Sequence, residues 1–133
     1  MLIVGAVCAL LVVLSTAIHY EVLRGLTVTL PAIRVPSRAK LMIVIFATFL
    51  AHAVEILLYA LASYALDSRH LPFSTSLYFS AETYTSLGYG DIVPSGDLRL
   101  LAGVEALNGL LLIGWSASYT YIAMERFWRE GSK

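Results

Sequence analysis

Residues 85–91 run Thr85-Ser86-Leu87-Gly88-Tyr89-Gly90-Asp91, with glycine at two alternate positions. Glycines at 88 and 90 can take backbone conformations closed to other residues, so consecutive carbonyls can point the same way. Carbonyls aimed at a common axis can replace the water shell of a dehydrated cation. One chain supplies one such strand, so four chains are needed to surround the axis.

The surroundings of this run are strongly apolar. Of 133 residues, 59% are hydrophobic and 14% charged, where a soluble domain carries about a quarter charged residues. The excess apolar surface must face something other than water, so the chain reads as an integral membrane protein. The formal net charge is zero, which gives no overall electrostatic reason to expect a nucleic-acid partner. A single cysteine, Cys8, excludes an intrachain disulfide and reads as a packing or membrane-facing residue. The amino-terminal apolar run lacks a positive flank and is long for a signal peptide, so it reads as a retained helix.

Three apolar stretches are long enough to cross a hydrocarbon core, which takes ~20 helical residues. The first covers residues 1–20 and ends at the polar group His19, Tyr20, Glu21, read as interfacial. A basic linker, 21–40, follows, with Pro31 and Pro36 breaking any continuing helix. The pore-forming unit is expected over 41–124, with an outer helix at 41–66, a short helix and glycine run at 72–91, and an inner helix at 98–124. Residues 125–133 form a charged tail. Pro72 suits the first turn of the short helix. Linker and tail hold Arg24, Arg34, Arg38, Lys40, Arg126, Arg129 and Lys133, leaving only Arg69 and Arg99 elsewhere. Basic residues stay on the cytoplasmic side, so the amino terminus and residues 67–97 are expected outside and the carboxyl terminus in the cytoplasm.

Irregular backbone at membrane depth is tolerated only where protein buries it or it lines a water-filled cavity. Residues 67–97 therefore read as a re-entrant loop, whose short helix points its partially negative carboxyl end inward. Tyr78-Phe79-Ser80-Ala81-Glu82-Thr83-Tyr84-Thr85-Ser86-Leu87-Gly88-Tyr89-Gly90-Asp91 resembles the pore helix and selectivity filter of tetrameric potassium channels. The resemblance runs from about residue 72 to 124. It implies an all-α membrane fold of three transmembrane helices with a re-entrant pore helix, assembled as a homotetramer with three further copies of the chain in membrane lipid. It implies a filter in which Ser86, Leu87, Gly88, Tyr89 and Gly90 hold K+, the permeant ligand, with no other cofactor. Thr85, Glu82, Asp91, Tyr78 and Phe79 would support that filter: Tyr78 and Phe79 as aromatic bracing, Glu82 sharing a proton with Asp91 behind it. Asp91 and Asp97 would concentrate cations at the mouth.

Two positions depart from the family's pattern. Serine stands at 86 where threonine is usual, keeping the hydroxyl and losing the stiffening β-branch. Leucine stands at 87 where valine or isoleucine is frequent, which alters the packing behind the carbonyl. These departures bear on filter rigidity more than on ion identity.

Elsewhere, Glu105 and Asn108 lie three apart in the inner helix. Ionisable groups in spans face a bundle interior or cavity, and Glu105 is expected against the pore helix, with a pore-facing cation site as the alternative. Gly109 and Gly114 could bend the helix to gate the pore or let helices pack closely. Trp115, Tyr119 and Tyr121 read as packing and interface aromatics. His52 and Glu55, three apart in the second span, read as a buried hydrogen-bonded pair or a proton-sensitive element. His70 alone makes no metal site. No arrangement of nucleophile, base and orienter is present in the sequence, and the chain is not expected to be an enzyme. Passive potassium conduction across a plasma membrane is the expected function. A weakly selective sodium and potassium channel, or a non-conducting scaffold or regulatory subunit, are the alternatives.

Overall fold

A computed structural model describes residues 1–67 and 71–131, with side chains through Phe127. Arg69, His70 and Lys133 lie outside the described residues. The chain folds into helices α1 (Leu2–Thr29), α2 (Ser37–Leu66), α3 (Phe73–Tyr84) and α4 (Leu98–Gly131), with a 3-10 turn at Leu30–Ala32 after α1. Helices α1, α2 and α4 are each long and apolar enough to cross a membrane. At 1.5 Å per residue, α2 spans about 45 Å. Helix α3, with 12 residues, reaches only about 18 Å and cannot cross.

Helix α1 does not end at Tyr20 but continues to Thr29. The polar group at 19–21 does not stop it because its members face different ways. Glu21 is exposed and holds Arg24 at 3.2 Å on the same helix face, whereas His19 is fully buried. Leu23, Leu26 and Leu30 keep the apolar spacing and pack with Val44 of α2 and Ala123 and Phe127 of α4. The α-helix gives way to the 3-10 turn at Pro31, which supplies no N–H to the ladder, and the backbone turns extended at Ile33. Similarly, α2 starts at Ser37 behind Pro36, four residues before the expected boundary. Helix α4 extends past Met124 into what reads from the sequence as a tail.

Buried residues of α1 form one seam: Val4, Cys8, Leu11, Ser15, His19, Leu23 and Leu26. The seam faces both α2 and α4, which α1 contacts alike. Its first third, with Cys8, joins Tyr59, Tyr84 and Leu101 in one apolar cluster. Its last third forms the second cluster with Val44 and Phe127. Between them lies a polar layer in which Ser15, His19, Glu55, Asn108 and Ser116 are all buried. Helix α3 packs against α2 and α4, and Met1 makes an ion pair with Asp97. The start of α1 therefore sits at the same end of the bundle as the loop that follows α3.

Candidate functional site

Helix α3 is seated by small and polar residues. The one hydroxyl proton of Ser80 is shared between the Ile56 carbonyl of α2, at 2.9 Å, and Glu105 of α4. Glu105, fully buried, thus lies against α3. Gly109 of α4 meets Tyr84 at the end of α3. A Cβ at residue 109 would run first into the Tyr84 carbonyl oxygen, and would lie 2.8 Å from the Tyr84 ring and 2.9 Å from its carbonyl carbon. Gly114 has open space around it, and α4 is one uninterrupted helix through both. Gly109 is therefore a close-packing position in this conformation.

The end of α3 is closed by a two-bond cap. Ser86 N–H donates to Thr83 O at 2.9 Å and Leu87 N–H to Glu82 O at 2.8 Å, with Gly88 N–H reaching the same oxygen at 3.2 Å. This is the Schellman arrangement, which places its turning residue in the left-handed region, usually as glycine. Here that residue is Ser86, at φ 58°. Gly88 and Gly90 follow at φ 55° and 79°, conformations that glycine reaches without a Cβ penalty. From Ser86 to Gly90 the backbone carbonyls accept no hydrogen bond from the described residues. Leu87 and Tyr89 side chains are exposed. A helix end thus hands over to five consecutive carbonyls without a partner among the described residues.

The flanking side chains do not all behave as expected. Tyr78 Oη donates to the Asp91 carboxylate at 3.1 Å, tying the returning chain to α3. Partial desolvation, then this bond and its charge, hold the Tyr78 phenol above its ordinary pKa. Glu82 does not bond Asp91. It is buried, and its Oε2 has no partner among the described residues. Tyr78 lies one helical turn nearer the start of α3 than Glu82, and the chain beyond Gly90 returns far enough to reach it first. Phe79 is half-buried, beside Ser63, Ile92, Pro94 and Leu98 around a cavity of about 20 Å³. Thr85 folds its hydroxyl back onto Ala81 O at 2.7 Å.

Behind this segment the polar layer forms two hydrogen-bonded groups. In the first, Asn108 Nδ2 donates to Ser15 Oγ at 2.7 Å and Tyr59 Oη at 3.1 Å. In the second, Glu55 is fully buried and takes His19 Nδ1 on Oε1 at 3.0 Å and His52 Nδ1 on Oε2 at 3.1 Å. Tyr84 Oη donates to Glu55 as well and lies 3.0 Å from His52 Nδ1. The other imidazole nitrogens both face Ser116 Oγ, at 3.0 Å from His52 and 3.1 Å from His19. His19 is therefore a buried network member and not an interfacial residue. Trp115 flanks it, with ring centroids 5.5 Å apart. Residue-by-residue reading missed His19, Tyr84 and Ser116. The three-and-four spacing from Val4 to Leu26 is the signal that places His19 inside.

An ion-channel family model matches residues 41–126. The chain belongs to this ion-channel family. The match takes in α3, the glycine run and most of α4, and it begins after α1. Membership points away from an enzyme, and with three membrane-capable helices it makes the chain a membrane protein engaged in ion transport. Family members of this kind usually assemble as oligomers in lipid. No curated protein and no solved structure matches the chain.

Proposed function

We propose that the chain is one quarter of a homotetrameric, potassium-selective channel of the plasma membrane. Ser86, Leu87, Gly88, Tyr89 and Gly90 line the path, and K+ is the permeant ligand. The observation that carries this reading is the run of five carbonyls without a hydrogen bond among the described residues, directly after a capped helix. Backbone carbonyls are strong acceptors that find partners in protein, water or ligand. Four such runs around one axis would give rings of oxygens able to replace the hydration shell of K+.

Other features support it. Helix α3 is re-entrant in length, and its carboxyl end carries partial negative charge toward a cation. The distribution of basic residues favours the glycine run outside and the α1–α2 connection and carboxyl terminus in the cytoplasm. Asp91 then brings negative charge to the outer mouth, while that of Asp97 is offset by Met1. Ions pass in single file, and repulsion between neighbours weakens binding enough for release.

The test is flux from purified protein in liposomes, with potassium and sodium gradients compared and barium as blocker. Barium-sensitive potassium flux with sodium excluded is expected. A bi-ionic reversal potential near zero would make the pore weakly selective, and complete absence of flux would favour a scaffold. A particle with no central fourfold axis would overturn the whole proposal.

A further inference from the structure

We propose that His19, His52 and Glu55 form an intramembrane site for a divalent transition-metal ion of the zinc type, clamping α1 to α2 beside the end of α3. One ligating atom from each residue lies within 4.8 Å of the other two. His19 and Glu55 are fully buried, and His52 is largely so. The inference does not rest on the channel reading.

The ligand atoms converge, and one arrangement of the imidazole protons turns them into a ligand set. Ser116 Oγ carries one proton and faces two imidazole Nε2 atoms, at 3.0 and 3.1 Å. If both neutral imidazoles keep their proton on Nδ1 to serve Glu55, Ser116 can satisfy only one Nε2. The other is left with a lone pair facing the oxygen. If instead both imidazoles carry the proton on Nε2, both donate to the two lone pairs of Ser116 and the contacts there are complete. Both Nδ1 lone pairs then face the Glu55 carboxylate across 3.0 and 3.1 Å. A mixed pair, His19 protonated on Nδ1 and His52 on Nε2, closes the network without an ion, since Tyr84 Oη lies 3.0 Å from His52 Nδ1; the pair protonated on Nε2 is the one that presents two nitrogen lone pairs and a carboxylate to a cation.

The donor set and its spacing suit such an ion. Two imidazoles and one carboxylate are ligands zinc accepts, with bonds of about 2.0–2.2 Å in tetrahedral geometry. Those lengths place neighbouring ligand atoms about 3.3 Å apart, a few tenths of an ångström beyond the present contacts. The supporting shell is already built. Metal-bound imidazoles are held by a hydrogen bond from their second nitrogen, and metal-bound carboxylates are themselves hydrogen-bonded. Ser116 supplies the first for both rings, and Tyr84 supplies the second to Glu55. Tyr84 ends α3, two residues before Ser86, so occupancy would bear on the carbonyl run.

Tagless protein, stripped with a chelator, would be titrated with Co2+ in detergent micelles. A tetrahedral ligand-field spectrum saturating at one ion per chain, and displaced by Zn2+, is expected. His19→Gln and His52→Gln should abolish it. Ser116→Ala should weaken Co2+ binding about 10–100-fold by removing second-nitrogen support. His70→Gln, which alters the one histidine outside the cluster, should leave the spectrum unchanged, and circular dichroism would confirm that each variant is folded. No such spectrum in the native chain, with the imidazoles titrating with protons alone, would overturn the proposal. So would a spectrum lost in His70→Gln and kept in folded His19→Gln.

Discussion

Gly109→Ala isolates the contact between α4 and the end of α3. The added Cβ would sit 2.8 Å from the Tyr84 ring, where ordinary contact begins at 3.4 Å. The ring must retreat by about 0.6 Å, and the carbonyl beside it must move too. Neither is free to yield. The backbone of Tyr84 leads into the cap at Glu82 and Thr83, and its hydroxyl is held by Glu55. Overpacking of this kind costs about 1–3 kcal/mol. Gly114→Ala is the matched control, because nothing lies within 4 Å of its Cβ and alanine is favoured over glycine in a helix by up to ~1 kcal/mol. The propensity gain is common to both substitutions, so they should differ by the overpacking cost, about 1–3 kcal/mol, with Gly109→Ala the less stable. Denaturant unfolding of both variants in micelles measures the gap. Flux should fall in Gly109→Ala, since the displaced residue is two positions from Ser86. Equal stability of the two variants would refute the packing argument and return Gly109 to the hinge reading.

Ser86 holds a left-handed conformation at φ 58°, which costs a residue with a Cβ about 1–2 kcal/mol. Ser86→Gly should be more stable by up to that amount, and Ser86→Thr less stable than the native chain because a β-branched residue is a true outlier there. Unfolding midpoints decide it, and a stabilised threonine variant would show that this cap does not persist in the assembled protein. The Ser15–Asn108 bond at 2.7 Å joins α1 to α4. A double-mutant cycle with Ser15→Ala and Asn108→Ala should return a coupling of about 0.5–2 kcal/mol. Zero coupling would show that α1 does not lean on α4 at that point.

Legibility from sequence followed the range of the physics. The glycine run was readable because its chemistry belongs to the backbone, and two glycines one residue apart announce the required dihedral angles. The three spans were readable because hydropathy over ~20 residues is a local sum. What failed were statements about partners. Glu82 was paired with Asp91 by resemblance, yet Asp91 reaches Tyr78, a choice set by how far the chain returns after Gly90. His19 was read from its polar neighbours as interfacial. Its burial depends on α2 and α4 presenting Glu55 and Ser116 at the same depth, which no window around residue 19 contains. The seam spacing of α1 could have placed the residue inside, though it could not have named what it meets there.

That depth has a consequence for the role of α1. The family match starts at residue 41, so a pore of this kind needs only the unit formed by α2, α3 and α4. In this chain, however, two polar residues of α1 reach into that unit. Ser15 accepts from Asn108 of α4, and His19 meets both Glu55 of α2 and Ser116 of α4. Without α1, Asn108 would keep only Tyr59, and Glu55 only His52 and Tyr84, in an apolar setting where each interhelical hydrogen bond is worth about 0.6–2 kcal/mol. A helix acting only as a lipid-facing belt would have no reason to carry either residue. The same two contacts fix its register, because shifting α1 by one turn would set Ser15 or Leu23 where His19 now meets the carboxylate. Glu55 in turn is held by Tyr84, whose carbonyl and ring rest on Gly109. Helix α1 is thus joined through one buried carboxylate to the last residue of α3, and whatever alters that carboxylate's hydrogen bonds acts on the start of the carbonyl run.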